Sequence, residues 1–315
     1  MTQTDSLSKV YKDKIEGAKK EKFTFLLVGR TGVGKSSAVN LLMDKEVAPV
    51  GDWTPTTMQV KPYPGEAFGI KFNFIDTPGL CDDVEEMEND QVYLDRIENS
   101  ISGEEIDCLW FVTRLNDSRV TFAEKRAIRL ITRAFGEEIW DRAVIIFTFA
   151  NQIPREKYNE VYGRRNNLIQ EEIMRCMDSD VDSRVPAVAI DNMAKETVDG
   201  QWLGKLYVMV LGRTANHGFL PFLLATANRL EFPSQNNQPA LVTRSTAPIK
   251  LNKAEVEDVE ESLVNNLLTS GVVAATAGTA MFSIGAAIAS PIGAAIGGVA
   301  GASVGALLSR LRLRV

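Results

Sequence analysis

GRTGVGKSS, residues 29–37, decides how this chain is read. It satisfies G-x-x-x-x-G-K-[ST] at every required position: Gly29, the variable Arg30, Thr31, Gly32 and Val33, then Gly34, Lys35 and Ser36, with Ser37 following. The preceding run, Phe23–Val28, is short and apolar and reads as a buried strand entering a turn, while Ser36–Met43 carries helical residues. A glycine-rich turn between strand and helix lets the backbone wrap round an anion with its N–H groups pointing inward. The helix start adds the positive end of its dipole. In that setting Lys35 bridges β- and γ-phosphate oxygens of a nucleotide and Ser36 coordinates Mg²⁺. All nine residues are candidate nucleotide contacts.

Downstream, DTPG at 76–79 ends the apolar run Ile70–Ile75. Asp76 there would hold Mg²⁺ through water, and the Gly79 N–H would meet the γ-phosphate. Between the two motifs lies WTPTTMQV at 53–60. A threonine in this loop can lend its hydroxyl to Mg²⁺ and its N–H to the γ-phosphate, making a switch that lets go on hydrolysis. Thr56 and Thr57 are both candidates, with Thr56 preferred.

Around these motifs, strand signals recur at Met58–Tyr63, Ile70–Ile75, Cys108–Thr113, Val144–Phe149 and Val185–Ile190. Helical patterns separate the later ones, at about Asp90–Ile101, Phe122–Phe135, Arg155–Met177 and Gly200–Thr214. Alternation of this kind predicts an α/β domain, a mostly parallel sheet with helices on both faces. The first two of these runs, joined by a Pro/Gly turn, predict a hairpin at one edge.

The chain has 315 residues, 45% hydrophobic and 24% charged, enough for one large domain plus an appendage. The expected plan is a helical lead-in at 1–22, a nucleotide-binding domain at 23–230, a linker and short acidic helix at 231–268, an uncharged segment at 269–309 and a basic end at 310–315. A net charge of −6 argues against a nucleic-acid binder. Cys81, Cys108 and Cys176 are widely spaced without CxxC pairing, and read as reduced thiols rather than zinc ligands or disulfides. A lone His217 is too little for histidine chemistry. The first 22 residues are polar and Lys-rich, without the apolar core of a secretory signal.

The loop, the switch threonine and DTPG, in this order, resemble the G domains of the TRAFAC GTPase class. The usual N-K-x-D base-reading sequence is missing after Val144–Phe149, and FTFAN stands at 147–151 instead. This looks like the septin-related branch that holds the chloroplast Toc receptors and the immune-associated, AIG-type GTPases. The resemblance spans roughly residues 20–225 and implies GTP and GDP as ligands, with Mg²⁺. It also implies a late acidic–Asn pair, here Asp191–Asn192 after VPAVAI. Guanine N1–H and N2–H₂ need a carboxylate acceptor, which Asp191 can supply, with Phe149, Ala150 and Asn151 flanking the ring. FVTRLNDSR at 111–119 is similar to the Toc-type V-D-R-L-D stretch, whose arginine reaches across a G-domain dimer. That carries over to Arg114 and implies a homodimer.

Leu80 follows DTPG where Ras-type proteins place a water-orienting glutamine, and leucine cannot orient water. Slow hydrolysis, stimulated by self-association or a partner, is expected. No charged residue occurs from Ser262 to Ser309. Two helices, at about Gly271–Ala289 and Ile292–Ser309 with a hinge at Ser290–Pro291, approach bilayer length. Gly293, Gly297, Gly301 and Gly305 recur every fourth residue and form a smooth packing face. Arg310, Arg312 and Arg314 suit a cytoplasmic membrane face. A membrane hairpin, or a single span with an interfacial half, is therefore expected, with the lipid bilayer and an effector protein as partners. The function expected is a membrane-attached GTPase switch or receptor; a GTP-bound scaffold with little turnover is the alternative, and an ATP-using enzyme a third.

Overall fold

The computed structural model of the chain describes residues 22–44, 46, 61–67, 70–77, 90–101, 103, 105–177, 184–193, 196–198, 200–226, 229–231 and 248–269. Two compact units make up the chain. The larger comprises Thr24–Gly65 and Phe72–Arg213; the smaller takes in Met1–Phe23, Glu66–Lys71 and Thr214–Val315.

Six strands form the main sheet: β1 (Lys22–Val28), β2 (Lys61–Ala67), β3 (Ile70–Asp76), β4 (Cys108–Arg114), β5 (Ala143–Thr148) and β6 (Ala187–Ala189), in the order β2–β3–β1–β4–β5–β6. The pairs β1–β4, β4–β5 and β5–β6 are parallel. Neighbours β2 and β3 are linked by two residues, too few for the crossover a parallel pair requires, so this edge is the expected hairpin. Its first strand starts later than predicted and runs on through Pro64 and Gly65, which had read as the turn. An edge strand tolerates proline because its outer N–H groups need no ladder partner.

The parallel strands are apolar on both faces because both are covered. In register, Leu26 faces Leu109, Val28 faces Phe111, and Phe111 faces Ile145. These residues share a core with Ile97 and Ile101 of α2 (Asp90–Ile101), Ile128 and Ile131 of α3 (Phe122–Phe135), and Ile169 and Ile173 of α4 (Tyr158–Met174). Alternate residues supply an aromatic cluster instead: Phe25 stacks on Phe74 at 5.1 Å and meets Trp110 edge-on at 5.3 Å. Each such pair adds about 0.5–1.5 kcal/mol beyond its burial. Helix α5 (Trp202–Arg213) lies against β5 and β6.

Helix α3 starts where its sequence says it should. Thr121 accepts the Glu124 N–H at 3.2 Å, and Glu124 accepts the Thr121 N–H at 2.8 Å, a reciprocal capping box.

The smaller unit holds elements that the sequence reading did not anticipate. Asn216–Thr226 forms helix α6 despite Pro221 inside it, and Leu230–Glu231 (β9) pairs in parallel with Ile249–Lys250 (β10). A short hairpin, β7 (Glu196–Thr197) with β8 (Gly200–Gln201), precedes them in the larger unit. Two-residue strands carry no periodicity, and a proline ordinarily marks a helix boundary, so neither feature was visible beforehand. The acidic helix is present as α7 (Lys253–Thr269), capped by Asn252 and Glu255, each of which accepts the other's backbone N–H. Among the described residues no helix is long and apolar enough to cross a membrane. The expected membrane segment after Thr269 lies outside them, as do the lead-in at 1–21 and Cys81.

Candidate functional site

Parallel strands finish at a common edge, so the loops after β1, β4, β5 and β6 gather there. The glycine-rich loop follows β1. Gly29 sits so close to β4 that a Cβ would lie 2.3 Å from the Val112 carbonyl oxygen, while Val33 is buried and anchors the turn. Gly34 has φ +93°, and a Cβ there would meet the Asn192 amide nitrogen at 2.5 Å. Thr31 and Gly32 remain exposed at the mouth.

Lys35 opens helix α1 (Lys35–Met43) and is 6% exposed. Its ammonium donates to the carbonyls of Gly29 at 2.8 Å and Arg30 at 3.1 Å, and lies 3.4 Å from the Asp76 carboxylate. Asp76 is held there because the next residue pins β3 to β1: Thr77 donates to the Leu27 carbonyl from its N–H at 3.1 Å and its hydroxyl at 3.0 Å. Ser36 is the next helical residue, half-buried. One hydroxyl and one carboxylate beside an anion-binding turn form the oxygen-only donor set that Mg²⁺ prefers, so these residues fit a magnesium nucleotide. Thr56, Thr57, Gly79 and Leu80 lie outside the described residues.

The segments expected to hold the base come to the same edge. Phe149 has φ +58° and caps the 3₁₀ turn Ala150–Gln152. Ala150 donates to the Ile190 carbonyl at 3.3 Å and Ile190 to the Phe147 carbonyl at 2.7 Å, which ties the ends of β5 and β6 together. Asn151 is exposed. Asp191 is buried, and its Oδ1 accepts the Met193 N–H at 2.8 Å in an Asx turn. Asn192 turns onto the phosphate loop, donating its amide to the Gly34 carbonyl at 3.2 Å. Arg114, at the end of β4, places its guanidinium carbon 4.7 Å over the Phe149 ring, with Nη2 3.4 Å from the Gly32 carbonyl. Within one chain, then, Arg114 lies over its own nucleotide edge.

One group of residues here was missed by the sequence reading. Arg165 of α4, buried, donates to the carbonyls of Arg114 at 3.3 Å and Arg119 at 2.7 Å, to the Thr113 hydroxyl at 2.7 Å and to Glu124 at 2.5 Å. Thr113 donates in turn to the same Glu124 oxygen. Glu124 thus caps α3 with one oxygen and meets Arg165 with the other. Only the T-x-x-E spacing at Thr121–Glu124 could have pointed to half of this arrangement.

A mostly parallel sheet with a glycine-rich phosphate loop leaving β1, a lysine at the helix start and an aspartate closing the neighbouring β3 defines a P-loop domain of the GTPase type. Residues 23–210 match the family described as "AIG1 family", and the chain belongs to it. It is 32% identical over 148 residues to Translocase of chloroplast 34 of Arabidopsis thaliana, covering 46% of each chain. It is 28% identical over 160 residues to Translocase of chloroplast 108 of Physcomitrium patens, covering 49% of this chain and 16% of that one. The chain therefore spans less than half the length of these curated relatives. Among solved structures it resembles a dimerisation-deficient arginine-to-alanine variant of Toc33 from Arabidopsis thaliana, at TM-score 0.54 and 25% identity over 69% of this chain and 91% of that one. Toc33 with GDP and Mg²⁺ superposes at TM-score 0.52 and 24% identity, over 69% and 91%.

Proposed function

We propose that this chain binds GTP with Mg²⁺ and hydrolyses it to GDP and phosphate, slowly until two G domains meet, acting as a switch or receptor at a membrane surface. The placement of Lys35 carries the reading: a buried ammonium, held by its own loop beside Asp76, is poised where a triphosphate would end. The nucleotide and metal bound by Toc33 support guanine and magnesium as ligands.

In this reading the N–H groups of 29–36 surround the β-phosphate, and Lys35 spans the β- and γ-oxygens. Mg²⁺, when bound, neutralises charge on those oxygens. Ser36, Asp76 and Thr56 would be the residues that hold it. The Gly79 N–H reports the γ-phosphate. Phe149, Ala150 and Asn151 flank the base, and the second oxygen of Asp191 accepts from guanine N1–H and N2–H₂. The G domain occupies 23–230, residues 231–268 link it, and 269–309 enter the bilayer ahead of the basic 310–315.

Arg114 serves a partner's nucleotide in a homodimer, leaving Phe149 to do so. Single-turnover GTP hydrolysis measured at rising protein concentration should accelerate. Arg114→Ala should remove about tenfold or more of the rate at high concentration, short of the roughly 10³–10⁵ of a dedicated arginine finger. A fast rate independent of concentration would overturn the dimer-stimulated reading. Leu80, in place of a water-orienting glutamine, favours one alternative: a GTP-bound scaffold that assembles on membranes, for which turnover would be negligible at every concentration. For the tail, carbonate extraction of membranes carrying the full chain should leave it in the pellet; release into the supernatant would exclude bilayer insertion.

A further inference from the structure

We propose that Asn192 is a positioning residue for the phosphate loop, and that it holds the loop rather than reading the base. This rests on the guanine-nucleotide reading above. Its Nδ2 donates to the Gly34 carbonyl at 3.2 Å across 158 residues of sequence. The fit is tight: any side chain on Gly34 would begin 2.5 Å from that nitrogen and 3.7 Å from the Thr148 methyl. Three bonds fix Asn192 from behind: Ile190 N–H to Phe147, Ala150 N–H to Ile190, and Met193 N–H to Asp191.

The carbonyl that Asn192 takes up belongs to the residue just before Lys35. Gly34 O is also the first acceptor of helix α1, from the Ala38 N–H at 3.0 Å. A carbonyl drawn outward by two donors turns the following peptide N–H, that of Lys35, away from them and toward the anion side, because C=O and N–H of one peptide point in opposite directions. The end of β6 thereby sets the orientation of the peptide that would touch the β-phosphate. Asn192 Oδ1 is buried and has no hydrogen-bond partner among the described residues, so the amide is held by its donor side.

A clasp on the phosphate loop and a contact to guanine make opposite demands on ligand structure. The test uses the full chain and competition for a fluorescent GDP by GDP, GTP, GMP and ATP, with parent, Asn192→Ala and the isosteric Asn192→Asp. Loss of the donor should weaken GDP and GTP by about three- to tenfold, the worth of one neutral hydrogen bond. GMP, which has no β-phosphate, should change by less than about twofold, and the GTP-to-ATP ratio should stay that of the parent. Asn192→Asp keeps the shape but turns an oxygen toward the Gly34 carbonyl, and should weaken GDP at least as much as alanine does. Equal losses for GMP and GDP, or a relaxed GTP-to-ATP ratio, would assign Asn192 to the base and overturn the clasp. Parent-like GDP affinity in Asn192→Asp would overturn it too, and does not depend on how well the alanine variant folds. A parent chain that binds no guanine nucleotide would instead remove the underlying reading, and the clasp with it.

Discussion

Replacing Lys35 with alanine should lower GTP and GDP affinity by about 10²- to 10⁴-fold, the loss of roughly two hydrogen bonds to charged groups at about 1.5–3 kcal/mol each. Two effects add. The first is direct: the ammonium is the buried cation of the glycine-rich loop, and arginine's broader fork would not enter a space closed by the Gly29 and Arg30 carbonyls. The second is structural. Those carbonyls and the Asp76 carboxylate at 3.4 Å all lean on one ammonium. Without it the carbonyls face each other and the carboxylate across an unfilled pocket, and the turn loses the order that lets its N–H groups converge. Titration of the variant with fluorescent GTP, alongside a thermal melt to show that it is folded, checks this. Undiminished affinity would bring down both the phosphate assignment and the function built on it.

The second large effect is expected on stability. Arg165→Met keeps much of the side-chain volume but leaves the Glu124 carboxylate, 2% exposed, without its cation. Breaking a buried pair from one side costs about 3–5 kcal/mol because the remaining charge is stranded. For a domain of this size that corresponds to a fall in Tm of roughly 6–20 °C. Glu124 cannot relax outward, since its other oxygen caps α3 through the Thr121 N–H. Arg165→Met combined with Glu124→Gln should recover part of the loss, because neither partner then carries an unbalanced charge. The pair also reaches function, as Arg165 holds the Arg114 and Arg119 carbonyls and so sets the path of the chain that carries Arg114. Melts of the two singles and the double measure the coupling directly. A melt of Arg165→Met within about 2 °C of the parent would mean that the buried charge is relieved by water or by rearrangement.

Both effects depend on the same edge of the sheet, but they were not equally visible beforehand. The loop 29–37 announced itself because every constraint on it is local: three glycines, a lysine and a serine at set spacing between an apolar run and a helix. Glu124 was half visible through T-x-x-E at the start of α3. Arg165 was not, since a charged residue inside YGRRNN reads as part of a solvated helix face. Pro64 and Gly65 read as a turn but lie in β2, because an edge strand does not demand a donor at every position. Family resemblance placed Asn192 with Asp191 at the base, and only the structure shows that its amide donates to the Gly34 carbonyl.

What the sequence alone determined is the chemistry of contiguous segments: an anion-binding turn, an aspartate at a strand end, and alternating strands and helices that commit the chain to a parallel sheet. Backbone conformation over a few residues is coded by those residues, so their spacing suffices. Which segments become neighbours was decided only by tertiary structure. The order β2–β3–β1–β4–β5–β6 brings residue 192 against residue 34 and residue 165 under residue 114. Hydrophobic periodicity says which face of a strand is buried, not which strand lies beside it. Contacts between distant polar groups follow from that adjacency and leave no period in the sequence.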